Sequence, residues 1–250
     1  MGSTLKQADF KGQAYQVQED VYPPEARGAA RQPQKVLDAI DEYGRTKKYL
    51  MNIGEYKSKT VVELIKKEKP QIMLELGGYV GYSAIAFGAA VKEAGGKRYF
   101  SLEKSPEFGA VISMLVDLAG LSDVVKVVVG SSSDSLRRLH KTGQLTHIDL
   151  LFLDHYKPLY TDDLKLCEEL ELVGPGSVYA ADNVVKPGNP PYLEYVRSTV
   201  EQKRAKASSA DGNGPKGRPD LVYDSKFVEG WEPSGVPDAL EITRCVRVES

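Results

Sequence analysis

Cysteine is scarce in this chain of 250 residues: only Cys167 and Cys245 occur, in unrelated segments and without C-x-x-C spacing. That excludes a disulfide framework or a cysteine zinc site and predicts two buried, reduced thiols. Long apolar runs are lacking as well. The longest, Ala84 to Val91, falls far short of the ~20 residues a membrane-spanning helix requires, so no membrane association is expected. The first twenty residues carry charge throughout and hold no apolar segment of the secretory kind, which makes the cytosol the expected compartment. A basic excess is also missing. Lys and Arg number 33 against 35 Asp and Glu, a net charge of -2, so a nucleic-acid partner is not expected. No repeat period is present, which excludes solenoids and propellers.

What remains is an ordinary globular composition, 41% hydrophobic and 27% charged, of a length that suits one α/β domain. Residues 1–33 are polar, contain Pro23 and Pro24, and read as a tail; residues 34–250 read as the single domain. Apolar positions Val36, Leu37, Ile40 and Tyr43 share one helical face, as do Val61, Val62, Leu64 and Ile65. Short apolar strands then alternate with helices: strands at 72–76, 98–102, 124–129, 148–153 and 177–181, helices at 82–92, 106–119, 133–140, 161–171 and 191–200. Near-continuous apolar strands linked by helices predict a doubly wound parallel sheet covered on both faces. The Gly, Ser and Pro-rich stretch 204–219 reads as a loop insertion, and 221–227 with 241–248 as a closing antiparallel pair.

In such a sheet ligands sit beyond the carboxyl ends of the strands. The first strand runs into Glu75-Leu76-Gly77-Gly78-Tyr79-Val80-Gly81-Tyr82-Ser83, where small residues allow close approach to the backbone. The order G-x-G-x-x-G is absent, which disfavours a nicotinamide dehydrogenase. Glu103, ending the second strand, can accept both hydroxyls of a ribose. Gly130 to Asp134, with Ser132, can contact an adenine or cap the next helix. The fourth strand ends in Asp154-His155-Tyr156-Lys157 and the fifth in Asp182-Asn183. Asp154, Asp182 and Asn183 form an all-oxygen set suited to Mg²⁺, with Lys157 beside it.

The stretches MLELGGYVGYSA (73–84), LEKSP (102–106), LFLDHYKPLY (151–160) and ADNVVKPGNP (181–190), with MNIGEYK (51–57) upstream, resemble the catechol O-methyltransferase family in that order. The resemblance implies a Rossmann-like, seven-stranded, mostly parallel sheet whose last strand is antiparallel, and a fold dependent on S-adenosylmethionine. It implies that Glu103 binds the ribose, with Lys104 adjoining, and that Ser132 and His155 line the adenosine pocket. Ile53, Gly77, Tyr79, Tyr82 and Ser83 would surround the methionine end, with Glu75 and Asp154 close by. Asp154, Asp182 and Asn183 correspond to the magnesium ligands and Lys157 to the general base. Glu232 corresponds to the acid that holds a substrate hydroxyl. Tyr49 and Tyr156 stand where the family has tryptophans around the catechol, beside Met51 and a retained Pro187.

Such a protein would methylate one hydroxyl of a small catechol. It has to align an intrinsically reactive sulfonium with an oxygen nucleophile, while the metal stabilises the ionised oxygen. Lys157 would take the departing proton, helped by a cation and a sulfonium that both disfavour its charged form. A monomer is expected. The alternatives are a cation-dependent enzyme acting on a caffeoyl ester, and a module that binds S-adenosylmethionine without turnover.

Overall fold

In this computed structural model, which describes residues 32–209 and 214–250, seven strands form one sheet in the order β3-β2-β1-β4-β5-β7-β6. Two helices lead in, α1 (Pro33–Thr46) and α2 (Gly54–Glu68). Then follow β1 (Ile72–Leu76), α3 (Tyr82–Glu93), β2 (Arg98–Glu103), α4 (Pro106–Leu118) and β3 (Val125–Val129). The second half holds α5 (Ser132–Lys141), β4 (Leu150–Leu153), α6 (Tyr160–Glu169), β5 (Val178–Ala181), α7 (Pro190–Arg197) and α8 (Val200–Ser209). The chain closes with β6 (Leu221–Trp231) and β7 (Pro237–Val248).

Strands β1 to β5 pair in parallel, and β7 runs antiparallel to both β5 and β6, the one reversed strand of the sheet. Because successive side chains of a strand point to opposite faces, each central strand feeds two cores. Met73, Leu150, Phe152 and Ala180 pack with α1 to α4, where Phe87 meets Phe152 edge to face at 5.1 Å. Leu74, Leu76, Leu151 and Leu153 pack with Leu136, Leu164 and Tyr192 of α5 to α7. Both faces are therefore covered, which is why these strands read as near-continuous apolar runs. Cys167 and Cys245 are buried and free.

Two differences from the sequence expectations stand out. Residues 204–209 belong to α8 rather than to a loop, because Arg204, Ala205, Lys206 and Ala207 favour helix and the buried Lys203 anchors the turn by setting its ammonium over the Tyr223 ring. Residues 214–219 lack regular structure, and 210–213 fall outside the described residues. The closing strands are longer than expected and joined by the short turn 232–236. The expected tail, 1–33, lies outside the described residues except for Gln32 and Pro33, where α1 starts. Among the described residues, no helix is long and apolar enough to cross a membrane.

Strand order reverses beside β1, which has β2 on one side and β4 on the other; there the connections diverge and leave a crevice. The ladder continues one residue past the strands. Gly77 donates to the Leu102 carbonyl (2.9 Å), Asp154 to Leu76 (3.0 Å) and Asp182 to Leu153 (2.9 Å). Gly77, Asp154 and Asp182 therefore stand side by side at the mouth of that crevice.

Candidate active site

The turn after β1 explains its glycines. Gly77 and Gly81 adopt φ of 93° and 91°, and a Cβ on Gly77 would stand 2.5 Å from the Asp154 carbonyl oxygen. Only a glycine lets β1 and β4 come that close. Tyr79 accepts a positive φ of 48° in the same turn, and its ring packs edge to face on Phe108 at 4.9 Å. Glu103 ties this turn to the next: its carboxylate accepts from the Tyr79 amide (2.9 Å) and the Ser105 amide (2.8 Å). Burial raises the Glu103 pKa, and these amides oppose the rise.

A hollow of about 290 Å³ opens beside them, walled by Tyr79, Glu103, Lys104, Phe108, Ser132 and His155. His155 Nε2 lies 2.8 Å from Asp163, and its ring stacks on Tyr160, but its Nδ1 is buried without a hydrogen-bond partner. An acid-floored, aromatic-sided hollow suits a polar aromatic ligand such as a nucleoside.

The hollow continues, through Gly77, Tyr79, Asp154, His155 and Tyr156, into a second one of about 490 Å³. Ile53, Tyr82 and Ser83 wall its inner end; Asp154, Lys157, Asp182, Asn183 and Glu232 stand opposite. Asp182 is fully buried, and its pKa is raised first by that burial and then by the charge of Asp154. Two carboxylates on adjacent strand ends thus face each other. Asn183 takes a left-handed φ of 58° and spends its side-chain nitrogen on Glu232 (2.8 Å) and Asp238 (3.0 Å). An amide held by its nitrogen presents its oxygen. The donor set is all oxygen and includes two carboxylates, which fits a hard divalent cation such as Mg²⁺.

Lys157 reaches this set from the turn after β4, 3.0 Å from Asp154 Oδ1 and 2.7 Å from the Tyr160 hydroxyl. Its carbonyl accepts from Asn189, which fixes the backbone it stands on (2.7 Å). The outer rim is apolar and open: Tyr49, Met51 and Tyr156 are 48%, 51% and 70% exposed, beside an exposed Pro187 behind a cis peptide bond. A flat ring could lie between these side chains.

Every expected site residue except Glu75 lines one of the two hollows. Glu75 lies beneath the glycine turn, fully buried, and accepts from the Tyr99 and Ser101 hydroxyls, each at 2.5 Å. Burial pushes its pKa up to about 7. Two residues at the site were not anticipated. The Lys57 ammonium, 1% exposed, donates to Asp182 (2.5 Å), Asp238 (2.7 Å) and Glu232. Asp238 also accepts from the amides of Val185 (3.1 Å) and Lys186 (2.9 Å). Lys57 had a signal in the sequence: it falls on the buried face of α2 in line with Val61 and Ile65, where a lysine needs anionic partners.

Residues 74–184 match the model of a methyltransferase domain family. Catechol O-methyltransferase of Bos taurus is 40% identical over 203 residues, 81% of this chain and 70% of that protein. The enzyme of that name from Mus musculus is 39% identical over 67% of this chain and 62% of its own length. Among solved structures, an O-methyltransferase from Bacillus cereus in complex with SAH superposes with a TM-score of 0.61 at 20% identity, over 85% of this chain and 90% of that one. The last likeness concerns the fold; the first, joined to the strand-end residues described above, shows that the chain belongs to the catechol O-methyltransferase family.

Proposed function

We propose that this protein transfers the methyl group of S-adenosylmethionine to one hydroxyl of a catechol, with Mg²⁺ held by Asp154, Asp182 and Asn183. The observation that carries this reading is one continuous cleft. A nucleoside-sized hollow floored by Glu103 opens into an oxygen-lined pocket that holds Lys157 and Glu232, on a chain 40% identical to a catechol O-methyltransferase.

S-adenosylmethionine supplies an electrophilic methyl and Mg²⁺ supplies charge that favours an ionised oxygen. The rest falls to the chain. Glu103 accepts the ribose hydroxyls; Ser132, His155 and Lys104 border the base; Ile53, Gly77, Tyr79, Tyr82 and Ser83 enclose the methionine end; Glu75 supports the turn from below. Tyr49, Met51, Tyr156 and Pro187 hold the ring of the catechol, whose vicinal oxygens face Asp154, Asp182 and Asn183. Lys157 takes the proton from the attacking hydroxyl, and Glu232 accepts from the other. Alignment of oxygen, methyl carbon and sulfur is the main contribution to rate. The proposal includes a monomer of the cytosol with no nucleic-acid partner.

A substrate panel tests the reaction class: label from S-adenosylmethionine should pass to catechol and not to phenol, because only adjacent oxygens chelate. Caffeoyl-coenzyme A turned over faster than free catechols would move the substrate to the ester class. No transfer to any of them, with cofactor binding intact, would leave a binding module.

A further inference from the structure

The carboxylate oxygens of Asp182, Glu232 and Asp238 lie within 4.8 Å of one another, a spacing at which three acids can hold a cation by themselves. Their side chains are 2%, 15% and 0% exposed. Three buried negative charges so close repel unless a positive charge stands among them. Here that charge is covalently part of the protein. Lys57 rises from the buried face of α2, and its stem passes Gly230, where an added Cβ would meet Lys57 Cγ at 2.7 Å. Packed on one side by β6 and bonded to three acids on the other, the ammonium has no route to solvent.

We propose that Lys57 is a positioning residue that fills a second cation place beside the metal site and so keeps Glu232 and Asp238 off the divalent ion. The inference rests on the reading that Asp154, Asp182 and Asn183 hold that ion. Asp182 belongs to both sets: Oδ1 accepts from Lys57 and from the Asn183 amide (2.8 Å), which assigns the other oxygen to the metal. Asp238, tied to Lys57, Asn183 and the amides of Val185 and Lys186, is saturated as an anchor for the loop after β5. Glu232, the most exposed of the three, keeps an oxygen for a substrate hydroxyl.

The test is a calorimetric titration of the full chain with Mn²⁺, with S-adenosylhomocysteine present. The native protein should bind one ion. Lys57→Met keeps the stem and removes the charge, and should bind two, the extra ion being lost again when Glu232→Gln is added; Lys57→Arg should return the count to one. Lys57→Met binding one ion or none, or an extra ion that survives Glu232→Gln, overturns the proposal. If Lys57→Met does not fold, Glu232→Gln alone decides. It should leave Mn²⁺ affinity within twofold of native while raising KM for catechol, and a tenfold loss of Mn²⁺ affinity would make Glu232 a ligand and overturn the proposal. Asp154→Ala separates the two readings: if it leaves Mn²⁺ binding intact, the metal assignment falls rather than the role of Lys57.

Discussion

At the scale of single residues, the role proposed for Lys157 separates proton transfer from metal binding. Its Nζ lies 3.0 Å from Asp154 and 2.7 Å from the Tyr160 hydroxyl, so removing it leaves the proposed oxygen ligands in place. Lys157→Ala should lower kcat by about 10²- to 10⁴-fold, the usual worth of a positioned base, with KM for catechol changed little. Stopped-flow or steady-state turnover at saturating Mg²⁺ measures this, and an unchanged kcat would reduce Lys157 to a neighbouring charge.

Glu75 predicts a pH effect on stability rather than on chemistry. Its folded pKa, about 7, stands above the ordinary carboxylate value of 4.5 because burial disfavours the ion. Between those values the folded state binds more protons than the unfolded one, so the favourable contribution present at low pH is lost as pH rises through 4.5 to 7. The swing is on the order of 3 kcal/mol. Thermal unfolding of Glu75→Gln should show less loss of Tm across this window than the native chain; parallel curves would contradict the assignment.

Most of the candidate site was legible at this scale because Asp154, Asp182, Asn183 and Lys157 follow apolar strands closely and strand ends are where ligands bind, and these residues line one hollow. Lys57 and Asp238 were not. They lie 181 positions apart, and only the closing hairpin brings them together at 2.7 Å. Asp238 carried no sign in the sequence that it was a partner in the cluster.

At the scale of elements, the turn between β1 and α3 carries the greatest constraint. A Cβ added to Gly77 would meet the backbone of Asp154 and His155 at 2.5–2.9 Å, and backbone cannot swing aside as a side chain can. Gly77→Ala combines overpacking with an unfavourable positive φ, and should cost about 2–4 kcal/mol of stability. It should also widen the gap between β1 and β4 and weaken binding of S-adenosylhomocysteine at least tenfold, measured by calorimetry. Native affinity in a folded Gly77→Ala protein would show that the turn tolerates a side chain.

Elements with a strong period were easy to place, and those with a mixed composition were not. Strands β1, β4 and β5 are buried on both faces and spell apolar runs, broken only by Glu75 in β1. In 204–219 the downstream glycines and prolines outweighed the helix-favouring Arg204 to Ala207, although α8 continues to Ser209. Strand β6 alternates irregularly between partly buried and exposed positions along an outer edge, so its length was hidden.

At the scale of the whole molecule, the reversal of strand order beside β1 turns a sheet into a cleft with two ends. One end is acid-floored and aromatic, the other oxygen-lined, and they share Gly77, Tyr79, Asp154, His155 and Tyr156. Asp154 is the hinge of this arrangement. It pairs with β1 through its amide, faces Asp182 across the strand gap, and bonds Lys157. The two-faced sheet with one reversed strand was foreseeable from apolar runs and family likeness. The way the hairpin of β6 and β7 folds back to complete the pocket with Glu232 depends on pairing over long sequence distance, which local patterns do not encode.

Metal-assisted transfer to a vicinal diol is tested most directly by one measurement. Initial rates of label transfer from S-adenosylmethionine to catechol are recorded with Mg²⁺, after removal of the ion by a chelator, and after its return. The oxygen set of Asp154, Asp182 and Asn183 predicts a rate that vanishes on chelation and recovers with Mg²⁺. A rate that persists unchanged in the chelator would contradict it.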